Sequence, residues 1–472
     1  MRNKLFTMAI LLSGLFVCAL TAQAQDSGEL PKQAMAVDGN SAVLQTDEQR
    51  DTPDIRPLAG AQNLSIGSQS TSHSFLLPSF GVVTQAQLNP YSSSLADSPS
   101  LISATYLSGR LGINKISKQS ELLVDYLASG GFSNYSGLGN SVIQSLDFAE
   151  TIHSGRWSQL FGEQFSYLPA SSFGFGGLGG LDGLAVGLGN VGSTPGFRQD
   201  ILPSQSIMTN GAPRISNTAL AQTTYALGYR SSLTFGGSYG TLHFIDGGFQ
   251  NSSAANFRGG YNYLLSPLNS MSVSYGFSRL MLSNSPQRMD DHSLQLSFAR
   301  RITGRLSFQI GAGPNFQIFR APVAGPRTVF TWAVYSALVG TYQFRHVEAG
   351  FNYSHGLTGG SGVLPGAKTD ALSGRLGRAF GNWKGSLYVG YSRNQALQQT
   401  IINANAIAPQ GWFAAAQVNR GFVRYGSLFF SYNVSGQSSL AAVCSLPACR
   451  MNTLTQTVSV GYNWGLRPIV LE

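Results

Sequence analysis

Along most of this chain apolar and polar residues alternate one by one. Met271-Ser-Val-Ser-Tyr-Gly-Phe277, Leu294-Gln-Leu-Ser-Phe298, Leu306-Ser-Phe-Gln-Ile-Gly-Ala312 and Val458-Ser-Val-Gly-Tyr-Asn-Trp464 show the pattern. A period of two places alternate side chains on opposite faces of a strand. The pattern predicts paired strands: 101–114 with 120–129, 143–153 with 156–168, 216–230 with 232–245, and 255–265 with 270–283. It continues with 290–302 and 305–319, 328–344 and 346–357, 369–380 and 383–394, and 411–422 and 426–436, and a last strand, 453–464, stands alone. Tight turns such as Ile302-Thr-Gly-Arg305 and Phe380-Gly-Asn-Trp383 join the members of a pair. The other connections are longer: 130–142, 169–215, 246–254, 284–289, 320–327, 358–368, 395–410 and 437–452.

That reading gives seventeen strands. If the last strand runs toward the short-turn side, so does the strand at 101–114, and another must precede it. Ser74-Phe-Leu-Leu-Pro-Ser-Phe-Gly-Val-Val-Thr-Gln-Ala-Gln87 is the candidate, with Pro78 near its start and 88–100 as the first long loop. The expected total is about eighteen, with sixteen as the alternative. At the other end, Tyr462 and Trp464 look like a closing aromatic signal, and Pro468 should stop further pairing. Residues 465–472 are then either a short tail or the end of a longer last strand.

The N-terminus has the layout of an export signal: Arg2 and Lys4, an apolar core from Leu5 to Leu20, and Ala22-Gln23-Ala24 as a small-x-small cleavage site. Cleavage after Ala24 would leave Gln25 first. Residues 25–70 are polar, contain Pro31, Pro53 and Pro57, and read as a flexible periplasmic segment. Only 11% of the chain is charged, against roughly a quarter in soluble proteins. Mean hydropathy is nevertheless only +0.01. After the N-terminus no run approaches the roughly 20 apolar residues that a membrane helix needs. Alternation behind an export signal, with little charge and 56 glycines, predicts an all-β transmembrane antiparallel barrel with short periplasmic turns and long external loops. The domain plan is 1–24 signal peptide, 25–70 periplasmic segment, 71–464 barrel and 465–472 tail. The competing class is a secreted soluble β-protein such as a propeller.

Charge and cysteine content refine this picture. The net charge of +9 falls to +7 when Arg2 and Lys4 leave with the signal. The basic residues are dispersed arginines without a basic helix or cluster, which excludes a nucleic-acid partner. Cys444 and Cys449, in Cys-Ser-Leu-Pro-Ala-Cys, predict a disulfide closing a small loop. No histidine lies near them, so neither a metal nor another cofactor is expected.

Strand parity assigns faces. Val458, Val460, Tyr462 and Trp464 share a lipid face, as do Leu428, Phe430, Tyr432 and Val434. The same rule turns Arg110, Asp125, Asp147, Arg230, Arg258, Arg301, Glu348, Arg375 and Lys384 into the lumen as pore-lining candidates. An arginine or lysine facing lipid at the midplane costs about 2–4 kcal/mol, which favours that assignment. Such charges either pair across strands and stiffen the wall or bias a pore, here mildly toward anions. The pattern is poor in 156–168, where Glu163 shares parity with Phe161 and Phe165. The loop at 169–215 has a glycine- and leucine-rich centre from Phe173 to Asn190. Its length and apolar character suit a constriction folded into the lumen or a surface used for contacts. Phe173, Asp182, Arg198, Asp200 and Arg214 are its candidate constriction residues. Catalysis is not expected, because the six histidines, His73, His153, His243, His292, His346 and His355, lie in separate segments. The cluster Asp290-Asp291-His292 reads as a polar loop end.

From about 74 to 464 the chain resembles a bacterial outer-membrane β-barrel of porin-like size. The resemblance rests on strand and loop pattern, without a diagnostic motif. It implies an outer-membrane location after Sec export, insertion by the barrel-assembly machinery, and passive diffusion of small hydrophilic solutes. The lipid bilayer is then the main partner, and assembly as a homo-oligomer stays open. The alternative function is a non-transporting barrel that presents its loops at 169–215, 395–410 and 437–452.

Overall fold

The computed structural model describes residues 74–88, 101–134, 141–168, 214–245, 251–283, 288–303, 306–321, 325–338, 347–358, 367–396, 410–423, 426–438 and 453–471. Among them, the strands in chain order begin with β1 (Phe75–Leu88), β2 (Leu101–Ile116), β3 (Ser120–Ser133), β4 (Ser141–Ser154), β5 (Trp157–Leu168) and β6 (Arg214–Ala226). β7 (Ser231–Phe244), β8 (Ser252–Ser266), β9 (Asn269–Leu282), β10 (Arg288–Thr303), β11 (Leu306–Ala321) and β12 (Gly325–Leu338) follow. Then come β13 (Val347–Thr358), β14 (Ala367–Phe380), β15 (Trp383–Ala396), β16 (Gln410–Val423), β17 (Gly426–Ser438), β18 (Thr453–Gly465) and the two-residue β19 (Ile469–Val470). The described residues contain no helix long and apolar enough to cross a membrane.

Each strand from β1 to β18 pairs antiparallel with the next in sequence, and β18 pairs back onto β1 from Ser79↔Gly465 to Leu88↔Gln456. The sheet is therefore a closed barrel without an open edge, which resolves the unpaired-edge problem of a β-sheet. β1 is the first strand that parity demanded, and Pro78 sits near its start, between Arg110-paired Ser79 and Gly112-paired Leu77. The long strands have 12 to 16 residues, more than the roughly 9–11 that a tilted strand needs to cross a bilayer.

The turns at one end are short. Gly155 and Gly381 open two-residue turns at φ 58° and 60°, in the left-handed region that glycine enters without strain. Connections at the opposite end are mostly longer, and the two ends are called here the turn end and the loop end. Two loop-end connections are shorter than the alternation predicts, because β10 starts at Arg288, β11 runs to Ala321 and β12 starts at Gly325. The C-terminal segment does not leave the wall as a tail. Pro468 interrupts β18, but Ile469 and Val470 resume pairing opposite Leu76 and Phe75, and Leu471 N–H donates to the Ser74 carbonyl at 3.0 Å. A proline removes one donor from the ladder, and here the ladder resumes beyond it.

The two faces have opposite chemistry. Phe80, Leu107, Phe235, Tyr275, Leu296, Val389, Phe430 and Val460 are among many large apolar side chains left exposed, whereas their sequence neighbours Ser79, Ser108, Thr234, Ser274, Ser297 and Ser459 are buried. In a closed barrel only the inner face can be covered by the chain itself, so the exposed apolar face is the outside. Aromatic rings collect on it near the turn end: Trp157 and Tyr225 lie 4.5 Å apart, Phe298 and Phe308 5.9 Å, and the Arg420 guanidinium sits 4.9 Å over Trp383. Near the loop end tyrosine hydroxyls meet polar partners, Tyr275 with His292 Nδ1 at 2.7 Å, Tyr391 with Gln410 at 3.3 Å and Tyr432 with Gln456 at 3.1 Å. An apolar belt between two such girdles is the profile of a membrane-spanning β-barrel. The outward Glu163, which accepts from Asn217 Nδ2 at 3.3 Å, is a polar exception on β5.

Candidate functional site

The inner wall carries the chemistry, and register shows how it is assembled. On β8–β11 the inward residues line up in four cross-strand rungs. The first is Asn256, Ser278, Asp291 and Gln317. The next is Arg258, Gly276, Ser293 and Asn315, followed by Gly260, Ser274 and Gln295, and then by Asn262, Ser272, Ser297 and Gly311. Four strands thus present a ladder of hydroxyls and amides with one arginine and one aspartate. It arises locally because small polar residues occupy every second position, as in Ser270-Met-Ser-Val-Ser274.

Arg258 organises the middle of the ladder. Its Nη2 donates to Ser274 Oγ at 3.2 Å and also to the Gln295 side-chain oxygen. Asn256 Nδ2 donates to Ser238 Oγ at 3.1 Å and Asn262 Nδ2 to Thr234 Oγ1 at 3.0 Å, extending the polar surface to β7. Gln317 and Ser278 have 0% exposure. The Gln317 amide, the Ser270, Ser272 and Ser278 hydroxyls and the Asn315 carbonyl oxygen are buried without a hydrogen-bond partner. Toward the loop end the ladder stops at an apolar rung, Ala254, Leu280, Met289 and Phe319, which pack together as one cluster.

A second sector lies on β2–β4. Arg110 Nε donates to Asp125 Oδ1 at 2.7 Å, and its Nη2 contacts the other carboxylate oxygen, giving a bidentate pair with both side chains buried. Asp147 stands directly opposite Asp125 in register. Lys384 shares inward parity with Ser386 on β15 and is half-buried. The structure therefore brings Arg110, Asp125 and Asp147 together and places Arg258 apart from them.

Other candidates fall elsewhere. Arg230 is not in the wall: it is exposed in the turn between β6 and β7, since β6 ends at Ala226. The turn is closed by the Leu227 and Gly228 N–H groups, which both donate to the Ser231 carbonyl. The side chains of Arg301, Glu348, Arg375 and Arg214 lie outside the described residues, although their backbones are in β10, β13, β14 and β6. Phe173, Asp182, Arg198, Asp200, Cys444 and Cys449 lie wholly outside them. Away from strand ends, the described inward charges are Arg110 and Arg258 against Asp125, Asp147 and Asp291, and Lys384 and Glu121 each stand one residue from a strand start.

Asp291 was missed as an inward residue. Asp290-Asp291-His292 does not form a loop end but lies within β10, with Asp291 inside and Asp290 and His292 outside. The amide and hydroxyl residues of the ladder follow from the same strand parity, but uncharged side chains carry no signal in a strand pattern that separates them from an ordinary polar face. His355 faces outward, with Nδ1 2.5 Å from Asp370 Oδ1 at the loop-end rim.

No family model matches the chain, and no curated protein matches it in sequence. Solved structures that resemble it in fold include several from Pseudomonas. OccK2 (OpdF) of Pseudomonas aeruginosa, solved with glucuronate, is 9% identical, with a TM-score of 0.41 over 83% of this chain and 98% of that one. OpdQ of the same species is 11% identical, with a TM-score of 0.41 over 84% and 98%. A BenF-like porin of Pseudomonas fluorescens Pf-5 is 10% identical, with a TM-score of 0.42 over 83% and 99%. The likeness is one of coarse architecture.

Proposed function

We propose that the protein is a passive diffusion pore for small hydrophilic solutes in the outer membrane, exported by its N-terminal signal and inserted by the barrel-assembly machinery. The observation that carries this reading is the buried polar ladder on β8–β11. Hydroxyls and amides at every second position of four adjacent strands make a poor dry core, because each one left unpaired costs about 1–3 kcal/mol, and they suit a wall that borders an aqueous path. A barrel that served only to display loops would gain more stability from an apolar filling at these positions.

The ladder offers donors and acceptors in near-equal supply and little net charge, which suits neutral polyhydroxylated or amide-bearing solutes. The described inward charges nearly cancel, which leaves any anion preference to Arg301 and Arg375, opposed by Glu348. The test is single-channel recording of the refolded chain in a planar bilayer under a salt gradient. Steady conductance steps with a reversal potential near zero are expected. A heat-modifiable, correctly folded barrel that never conducts would exclude the pore and leave loop display as the function.

A further inference from the structure

The outer surface of β9–β11 carries a rung unlike the rest of the apolar belt. Arg288 and Arg320 are directly opposite in register, both on the outward face and both exposed. One rung inward along the strands, Asp290 faces outward between Arg279 and Ile318. Arg279 Nε donates to Asp290 Oδ1 at 2.6 Å, and Arg320 Nε lies 3.5 Å from Oδ2. The Asp290 side chain is only 3% exposed, whereas those of Arg279 and Arg320 are 39% and 50% exposed. Both contacts use Nε, so the terminal amino groups of two guanidiniums are not needed to hold the carboxylate.

Like charges directly opposite across two strands destabilise a sheet. Here three arginines lie around one carboxylate that pairs with only two of them, Arg279 and Arg320, and among the described residues of these two rungs no second acid faces outward. The next rungs toward the membrane are Phe257, Phe277, His292 and Phe316, then Tyr275 and Leu294, then Tyr261, Val273 and Leu296. Successive rungs are about 6–7 Å apart along the strands. The surface thus passes from cationic to aromatic to aliphatic within about 20 Å, the order of a lipid headgroup, its glycerol or sugar level and its acyl chains.

We propose that Arg279, Arg288 and Arg320 form a binding site for the phosphorylated headgroup of a membrane lipid in the leaflet around the loop end. The proposal rests on the membrane-spanning reading but not on conductance. Guanidiniums pair well with phosphate because two parallel N–H donors match two of its oxygens. A doubly charged phosphate relieves the Arg288–Arg320 repulsion that Asp290 only half offsets. The apolar rungs beneath explain why the anion belongs to a lipid and not to solution: its chains lie on Phe277, Phe316 and Leu294.

The test is native mass spectrometry of the full chain refolded in detergent, with bisphosphorylated lipid A, with the same glycolipid stripped of phosphate, and with inorganic phosphate as competitor. Wild-type protein is expected to retain the bisphosphorylated lipid in preference to the stripped one. The double variant Arg288→Gln/Arg320→Gln is expected to bind it at least about tenfold more weakly while keeping heat-modifiable folding and conductance. The single variant Arg288→Gln, which breaks no ion pair among the described residues, provides a second measure should the double variant fold poorly. Equal binding by variant and wild type, or equal retention of the stripped lipid, would overturn the site. Inorganic phosphate that competes at equimolar concentration would overturn the assignment to a lipid. Loss of conductance with lipid binding intact would bear on the pore alone.

Discussion

At the residue scale the barrel depends on glycines set against large neighbours. Phe429 and Gly461 are directly opposite on β17 and β18, and a Cβ on Gly461 would fall 2.3 Å from the Phe429 ring and 2.9 Å from the Val82 carbonyl. Trp412 lies across Gly436 in the same way, with its Nε1 2.5 Å from where a Cβ would be. A ring laid over a glycine fills the gap left by the missing side chain. Gly313 is more constrained, because its Cβ would stand 1.7 Å from the Leu294 carbonyl oxygen. Gly313→Ala is therefore expected to abolish the heat-modifiable folded form, whereas Gly130→Ala, with nothing within 4 Å, should fold normally. Gly461→Ala should cost about 1–3 kcal/mol of stability, read as a lower urea midpoint, and Phe429→Ala in the same chain should recover only part, since Val82 still blocks the methyl group. If Gly313→Ala folded like wild type, the close approach of β10 and β11 would be refuted.

At the element scale the ladders differ in length. β10 and β11 pair from Arg288↔Arg320 to Thr303↔Leu306, whereas the two-residue β19 pairs with β1 only through Phe75↔Val470 and Leu76↔Ile469. Local opening is easiest where backbone hydrogen bonds are fewest. Amide exchange in lipid is expected to be faster at β19 than along β10 and β11. Exchange as slow at β19 as in β10 would contradict this. Strand existence and parity were legible in the chain because a period of two writes each face into the sequence. Strand ends were less legible: Arg288 and Ala321 extend β10 and β11 past their predicted limits, since paired neighbours hold residues in a strand that alternation alone assigns to a loop.

At the scale of the whole molecule, closure decides what each charge does. Arg110 and Asp125 come from neighbouring strands, and the ring turns them into a buried pair facing the lumen, with Asp147 opposite Asp125. Arg110→Ser would leave two facing carboxylates, so it is expected to destabilise the barrel and to move the reversal potential toward cations. An unchanged reversal potential would remove this sector from the conduction path. By itself the chain determined the class of fold, the polar and apolar faces and the inward direction of Arg110, Asp125, Asp147 and Arg258, because side-chain alternation is a local property of an extended backbone. Only the tertiary structure decided which residues share a rung. Register between strands depends on turn geometry and on where each strand begins, and neither is written in a single strand. That is why Asp291 and Gln317 joined the inner ladder while Asp290, one residue away, turned outward to meet Arg279 and Arg320.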